Sequence, residues 1–206
     1  MILERRKLGN NSQNQNQDEV NASEMVTDAI LTSDRNNIDW DLLKSDIELL
    51  NKTWGVVLLD LYELKVPNED ILDFSTKINE CIVAIKNEDK QQSLNTLSNL
   101  YSSIPLFLKQ IGEEENKQKI RQTQDYIIKA YIVADDMDNV EVRSNMQKAL
   151  DTYSEVVTNI DYTKDKTYKT NMVYVLLNEM ANSLNDKDSD VFYLKYKNLM
   201  EAINTI

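Results

Sequence analysis

The stretch NDKDSD at 185–190 places carboxylates at alternate positions, as the opening of a calcium-binding loop does. An EF-hand loop also requires Gly at its sixth position and a bidentate Glu at its twelfth. Counted from the first aspartate, those positions hold Val191 and Lys197. The stretch is therefore predicted to be a turn between two helices, in which Asp188 or Ser189 caps the second helix.

Other residue types that carry metal or catalytic chemistry are scarce. The 206 residues include no His and a single Cys, which removes the commonest general base and metal ligand. Cys81 lies on an apolar stripe with Ile71, Phe74, Ile78 and Ile85, and this pattern favours a buried small hydrophobe over a nucleophile. We expect no enzyme activity, no cofactor and no bound metal; a carboxylate-based metal-binding bundle is the remaining chemical alternative.

The 10 Tyr and 2 Trp residues are the other candidates for a site. Trp54 and Tyr153 each lie near the middle of a long predicted helix, and Trp40 lies two heptads before Trp54. Two interpretations are open. The favoured one makes the rings core anchors, and the other makes Trp40, Trp54 and Tyr153 the lining of a groove for a ligand or a partner.

The elements that carry these residues are predicted to be helices, because only 3 Gly and 2 Pro are available for turns and sheet edges. Apolar spacings of three and four predict a long helix over 38–65. Further helices are predicted at 20–31, 68–86, 90–112, 113–134, 140–160, 167–184 and 189–206. Pro105 should kink or cut the fourth, and Gly112 should end it. The fold class is all-α, an antiparallel bundle of about seven to eight helices.

An internal repeat organises these helices. The phrase INECIVAIKNEDKQ at 78–91 returns as LNEMANSLNDKDSD at 177–190, and this 99-residue offset carries 36–107 onto 135–206 without a gap. It places Trp54 on Tyr153. The pattern predicts two tandem copies of a three-helix unit, each preceded by an extra helix, at 20–112 and 113–206. The alternative is that two amphipathic runs fell into register by accident.

The net charge and the composition of the N-terminal residues restrict the classes of partner and the cellular location that we expect. The net charge is -12, which disfavours nucleic acid and anionic membrane surfaces. Residues 1–19 include the polar run GNNSQNQNQDE and are predicted to be a disordered tail. The opening MILERRKLGNN lacks the apolar core of a signal peptide, and no apolar run is long enough for a transmembrane helix. The tail could be ordinary, or a tether left after an upstream signal or lipid-anchoring segment was removed.

The polar tether, the Asn/Lys/Asp/Ile-rich composition and the amphipathic helices with inward Trp resemble uncharacterised helical lipoproteins of low-GC Gram-positive bacteria. The resemblance is one of style and carries no function with it. We expect a monomeric, non-enzymatic, extracytoplasmic module that is tethered to the cell surface and binds a partner protein or small ligand. The alternative is a cytoplasmic helical adaptor or regulatory protein.

Overall fold

The computed structural model describes residues 38–159 and 164–206, and these residues form eight α-helices and no strand. The helices are α1 (Trp40–Glu63), α2 (Asn68–Lys86), α3 (Lys90–Tyr101), α4 (Ile104–Gln110), α5 (Glu115–Val133), α6 (Val140–Thr158), α7 (Lys164–Ser183) and α8 (Ser189–Ile203). The all-α prediction is confirmed. The predicted tail at 1–19 and the predicted helix at 20–31 lie outside the described residues.

Local chemistry sets the helix ends. The Asp39 side chain accepts a hydrogen bond from the Leu42 amide at 3.0 Å and so caps α1. Pro105 lies in the first turn of α4, where its missing N–H costs nothing, and α3 ends before it. Gly112 takes a φ of 71° just after α4, as a helix-terminating residue does. The predictions for Pro105 and Gly112 are both confirmed.

The first compact unit extends to Leu97, and its described part comprises α1, α2 and most of α3. Helices α1 and α2 pack together. Their buried apolar residues are Leu43, Ile47, Leu50, Trp54, Val57 and Leu61 on α1, and Ile71, Phe74, Ile78, Cys81, Ala84 and Ile85 on α2. The Lys44 ammonium lies 2.7 Å from the Glu88 carboxylate and so links α1 to the turn after α2.

The second compact unit begins at Ser98 and contains α4 to α8. Helices α5 and α6 run antiparallel, because the start of α5 meets the end of α6: Lys119 Nζ lies 2.9 Å from a Glu155 carboxylate oxygen. At mid-helix, Lys148 Nζ lies 5.8 Å from the centroid of the Tyr126 ring. Helix α7 packs on α6, and α8 packs on α7 and α5.

The division between the units falls inside α3, earlier than the boundary after residue 112 that the sequence suggested. The reason lies at the end of α3. The Tyr101 hydroxyl donates to Gln124 Oε1 at 2.8 Å, and the Ser102 hydroxyl donates to an Asp125 carboxylate oxygen at 2.6 Å. These bonds join the end of α3 to α5, so these residues group with the second unit.

Candidate functional site

Trp54 lies in the core of the first unit with 8% of its surface exposed. Its ring centroid is 4.4 Å from that of Phe74. The indole Nε1–H donates to Ser75 Oγ at 2.8 Å, and the Ser75 hydroxyl donates to the Ile71 carbonyl at 2.9 Å. A buried indole whose N–H has an acceptor fits a structural anchor.

Tyr153 is fully buried in the second unit, where its hydroxyl donates to the Thr170 carbonyl at 3.2 Å. Trp40 is half-buried at the first residue of α1. Trp54 and Tyr153 therefore occupy the interiors of two different units, as the core interpretation requires. The groove lined by Trp40, Trp54 and Tyr153 stays a prediction, and the positions of Trp54 and Tyr153 do not support it.

The calcium-like stretch forms the turn between α7 and α8. The Asp188 carboxylate accepts from the Asp190 amide at 2.9 Å and from the Val191 amide at 3.3 Å, which confirms the predicted cap. Lys187 lies 2.6 Å from the Asp138 carboxylate, and this hydrogen bond lowers the pKa of Asp138. Within 38–159 and 164–206, no three His, Cys, Asp or Glu side chains are grouped to hold a metal ion.

Cys81 is buried in α2. Burial raises the pKa of its thiol to about 12, although a hydrogen bond with Thr96 acts in the opposite direction. Since the thiolate is the nucleophile, this cysteine is unreactive near neutral pH.

A buried polar cluster on α5 escaped the sequence analysis. Gln124 is 1% exposed, and its Oε1 accepts from the Tyr101 hydroxyl at 2.8 Å and from Arg121 Nη1 at 2.9 Å. Its Nε2 donates to Asn204 Oδ1 at 2.8 Å. The side-chain amide thus binds groups before and after α5 in the chain, which fits an architectural role. The available sequence clue was a Gln within the apolar stripe, one turn before Ile127.

The next residue extends this cluster. Asp125 is 6% exposed and accepts from Ser102 Oγ, while Lys129 Nζ lies 2.7 Å from its other carboxylate oxygen. A buried carboxylate with a hydroxyl and an ammonium beside it is compensated. Nothing in this arrangement requires a further ligand.

Five large hydrophobic side chains on α1 are exposed, and the sequence analysis missed that three of them lie along one edge of the helix. Leu42, Leu49 and Val56 are 49%, 47% and 66% exposed, and they recur every seven residues along one edge of the helix. We call them the α1 row. The clue was this seven-residue spacing, hidden beside the stronger core stripe that contains Trp54.

Asp46 lies on the same helix one turn after Leu42. Only 6% of its surface is exposed, and burial raises the pKa of its carboxyl group. Helix α1 carries five carboxylates and two lysines in all, so the α1 row lies on an acidic helix.

No protein-family model, curated protein or solved structure matches the chain. Among the described helices, none combines the length and the apolar character needed to cross a bilayer.

Proposed function

We propose that the protein is a non-enzymatic helical module that binds a partner protein through the α1 row. The observation that carries the proposal is the alignment of Leu42, Leu49 and Val56 on one exposed edge. Full burial of such a side chain contributes about 1.5–3 kcal/mol, so covering the exposed parts of all three would contribute roughly 2–5 kcal/mol. Apolar residues at helical spacing are the surface that an amphipathic helix recognises.

The charges on α1 indicate which helix would fit. Four carboxylates on α1, Asp41, Glu48, Asp60 and Glu63, are exposed against two lysines, so the exposed surface of this helix carries a net negative charge. A partner helix with Lys or Arg beside its apolar face complements that surface, whereas an acidic helix is repelled. The proposed partner is therefore a basic amphipathic helix.

A peptide selection tests this proposal on the full chain. Phage-displayed 16-residue peptides are selected on the wild-type protein, and the enriched peptides are then measured against Val56→Glu. We expect enriched sequences with apolar residues at helical spacing and flanking Lys or Arg. Their affinity should fall at least about tenfold on Val56→Glu, because a buried carboxylate replaces an apolar contact.

The matched control is Val83→Glu on α2, since Val83 is also exposed, at 55%. It introduces the same charge on another helix and should leave peptide affinity unchanged. Peptides that bind Val56→Glu as tightly as the wild type would contradict the proposal. Both variants should melt like the wild type, because neither side chain is buried.

We also propose that 36–107 and 135–206 are two copies of one duplicated unit. Six buried positions of α2 support this, because their equivalents at the 99-residue offset are also buried. The corresponding pairs are Ile71 and Thr170, Phe74 and Val173, Ile78 and Leu177, Cys81 and Met180, Ala84 and Ser183, and Ile85 and Leu184. The five described equivalents of the buried apolar residues of α1 are likewise buried. Burial therefore follows the 99-residue register through two successive helices, which supports the duplication.

Backbone geometry at one turn supports the duplication independently. Glu88 and Lys187 correspond at the same offset, and both adopt the left-handed region, with φ of 57° and 53°. This conformation is uncommon for residues other than Gly. The next residue in each copy, Asp89 or Asp188, caps the following helix through its side chain. The same turn geometry therefore follows α2 and α7, which supports the duplication.

The cellular location belongs to the same proposal. We place the module outside the membrane on a polar tether, supported by the composition of residues 1–19. Protease treatment of intact cells that express the full-length gene tests this. Digestion without lysis supports external display, and protection until lysis would favour the cytoplasmic alternative.

A further inference from the structure

We propose that the outward face of α7 pairs with the same face of a second copy of this chain, in a weak antiparallel dimer. The face consists of Tyr168, Met172, Val175 and Glu179, which we call the α7 stripe. This pairing is independent of the α1 row. It takes the place of the monomer expected from the sequence.

The α7 stripe lies on the side of α7 away from the core of the second unit. Tyr168 and Val175 are 68% and 54% exposed, and the Glu179 side chain is 55% exposed. Met172 is half-buried. The four positions follow spacings of four, three and four, which is the heptad pattern of a helix that packs on another helix. The inward side of α7 consists of the buried residues Thr170, Val173, Leu177 and Met180.

The corresponding face of α2 is polar. At the 99-residue offset the α7 stripe falls on exposed positions of α2, which are Glu69, Asp73, Thr76 and Glu80. The run MVYVLL at 172–177 likewise falls on DFSTKI at 73–78. Both helices bury their inward side, so packing within a unit does not require an apolar outward face. The apolar residues of the α7 stripe therefore have no role in the packing that α2 also achieves.

The order of residue types along the α7 stripe fits antiparallel pairing with itself. A two-fold axis midway between Met172 and Val175 places Met172 of one copy opposite Val175 of the other, and Tyr168 opposite Glu179. The centre of the contact is then apolar. At each end a phenol hydroxyl can donate to a carboxylate.

The charges favour the same orientation. Lys169 follows Tyr168, so antiparallel pairing brings its ammonium near Glu179 of the other copy. Parallel pairing would instead bring the two copies of Glu179 together, and like charges repel. The α7 stripe is therefore complementary to a second copy only when the two helices run in opposite directions.

The size of the contact sets its strength. The α7 stripe extends over three turns of one helix, so the pair buries less surface than the roughly 1,200 Å² at which stable interfaces begin. Contacts below this size are weak and transient. We expect a dissociation constant on the order of 100 μM.

Sedimentation equilibrium of the full chain, at concentrations below and above that constant, tests whether the dimer forms. The wild type should change from monomer to dimer as concentration rises. Val175→Glu should weaken the dimer at least about tenfold, because it places a carboxylate against Met172 twice. Val83→Glu on α2 is the matched control, since Val83 is 55% exposed, and it should leave the dimer unchanged.

Three results would overturn the proposal. They are a wild type that stays monomeric throughout, a Val175→Glu variant that dimerises like the wild type, and a dimer that dissociates on Val56→Glu. The last result would assign the contact to the α1 row.

Cysteine pairs test the orientation. Tyr168→Cys and Glu179→Cys are prepared as separate variants, one with an affinity tag, and are mixed under mild oxidation. Antiparallel pairing predicts a disulfide between the two variants. Neither variant alone should cross-link, because its two thiols lie about 16 Å apart along the helix axis and a disulfide needs Cα atoms within about 7 Å.

Electrophoresis without reducing agent separates the tagged and untagged products. The native Cys81 is buried, with a thiol pKa raised to about 12, and stays silent. A disulfide that forms within either variant alone, or no disulfide in the mixture, would overturn the antiparallel pairing.

Discussion

Trp54 in the first unit and Tyr153 in the second lie 99 residues apart in the chain, and different hydrogen bonds hold their rings. In the first, Trp54 reaches the carbonyl of Ile71 through the hydroxyl of Ser75. In the second, Tyr153 bonds directly to the carbonyl of Thr170, the equivalent of Ile71 at the 99-residue offset. The two carbonyl groups thus correspond at the 99-residue offset. Tyr153 reaches its carbonyl directly, whereas Trp54 reaches its carbonyl through the hydroxyl of Ser75.

The turn after α2 and the turn after α7 also have a similar backbone and different side-chain partners. The left-handed residue is acidic in the turn after α2, where Glu88 pairs with Lys44 at 2.7 Å. It is basic in the second, where Lys187 pairs with Asp138 at 2.6 Å. The two turns thus have the same backbone conformation although the charge of the left-handed residue is reversed.

The largest expected effect comes from removing the equivalent rings. Trp54→Ala and Tyr153→Ala should each lower the free energy of unfolding by about 3–5 kcal/mol, because both leave a cavity in a core. Urea denaturation followed by circular dichroism measures both losses. A Trp54→Ala variant that melts within about a degree or two of the wild type would instead support the groove interpretation.

Removing the hydrogen bonds of the two rings should destabilise the two units by different amounts. Ser75→Ala removes the acceptor of the Trp54 indole and leaves its buried donor in place, so we expect a loss of about 1–3 kcal/mol. Tyr153→Phe removes the donor itself and should cost about 0.5–1.5 kcal/mol. Chemical denaturation of both variants gives the order, and a Tyr153→Phe loss larger than that of Ser75→Ala would break the proposed equivalence.

The shared turn predicts matched responses to Gly. Glu88→Gly should be more stable than Glu88→Ala by about 1 kcal/mol, since Gly adopts a positive φ without steric cost. Both variants lose the ion pair with Lys44, so their difference reports the backbone alone. Lys187→Gly and Lys187→Ala should differ by the same amount in thermal melts. A difference confined to one turn would show that the two turns are not equivalent.

The smallest effect concerns Asp46, whose equivalent is Asn145. Burial raises the pKa of Asp46 in the folded state, so ionisation above the unfolded pKa of about 3.9 destabilises the fold. Asp46→Asn should therefore raise the melting temperature by about 1–2 °C at pH 7. The gain should disappear near pH 3, where Asp46 is protonated in both states. An equal gain at both pH values would exclude ionisation as the cause.

Local features of the fold could be predicted from the sequence, because helix spacing and turn chemistry act over a few residues. The bounds of α2, the break at Pro105 and the end at Gly112 are of this kind. The position of the unit boundary could not be predicted, since it depends on bonds between α3 and Gln124 that only the folded chain brings together. The α1 row escaped notice because exposure depends on which neighbours cover a helix edge.

The pairing of α5 with α6 also bears on the order in which the second unit assembles. Only residues 134–139 separate these two antiparallel helices, so bringing them together closes a short loop at small entropic cost. Contacts between residues close in the chain form fastest. The bond between Gln124 and Asn204 spans 80 residues and must wait for α8. The hairpin of α5 and α6 is therefore the expected folding nucleus. The hydrogen bond from Gln124 to Asn204 is expected to form late.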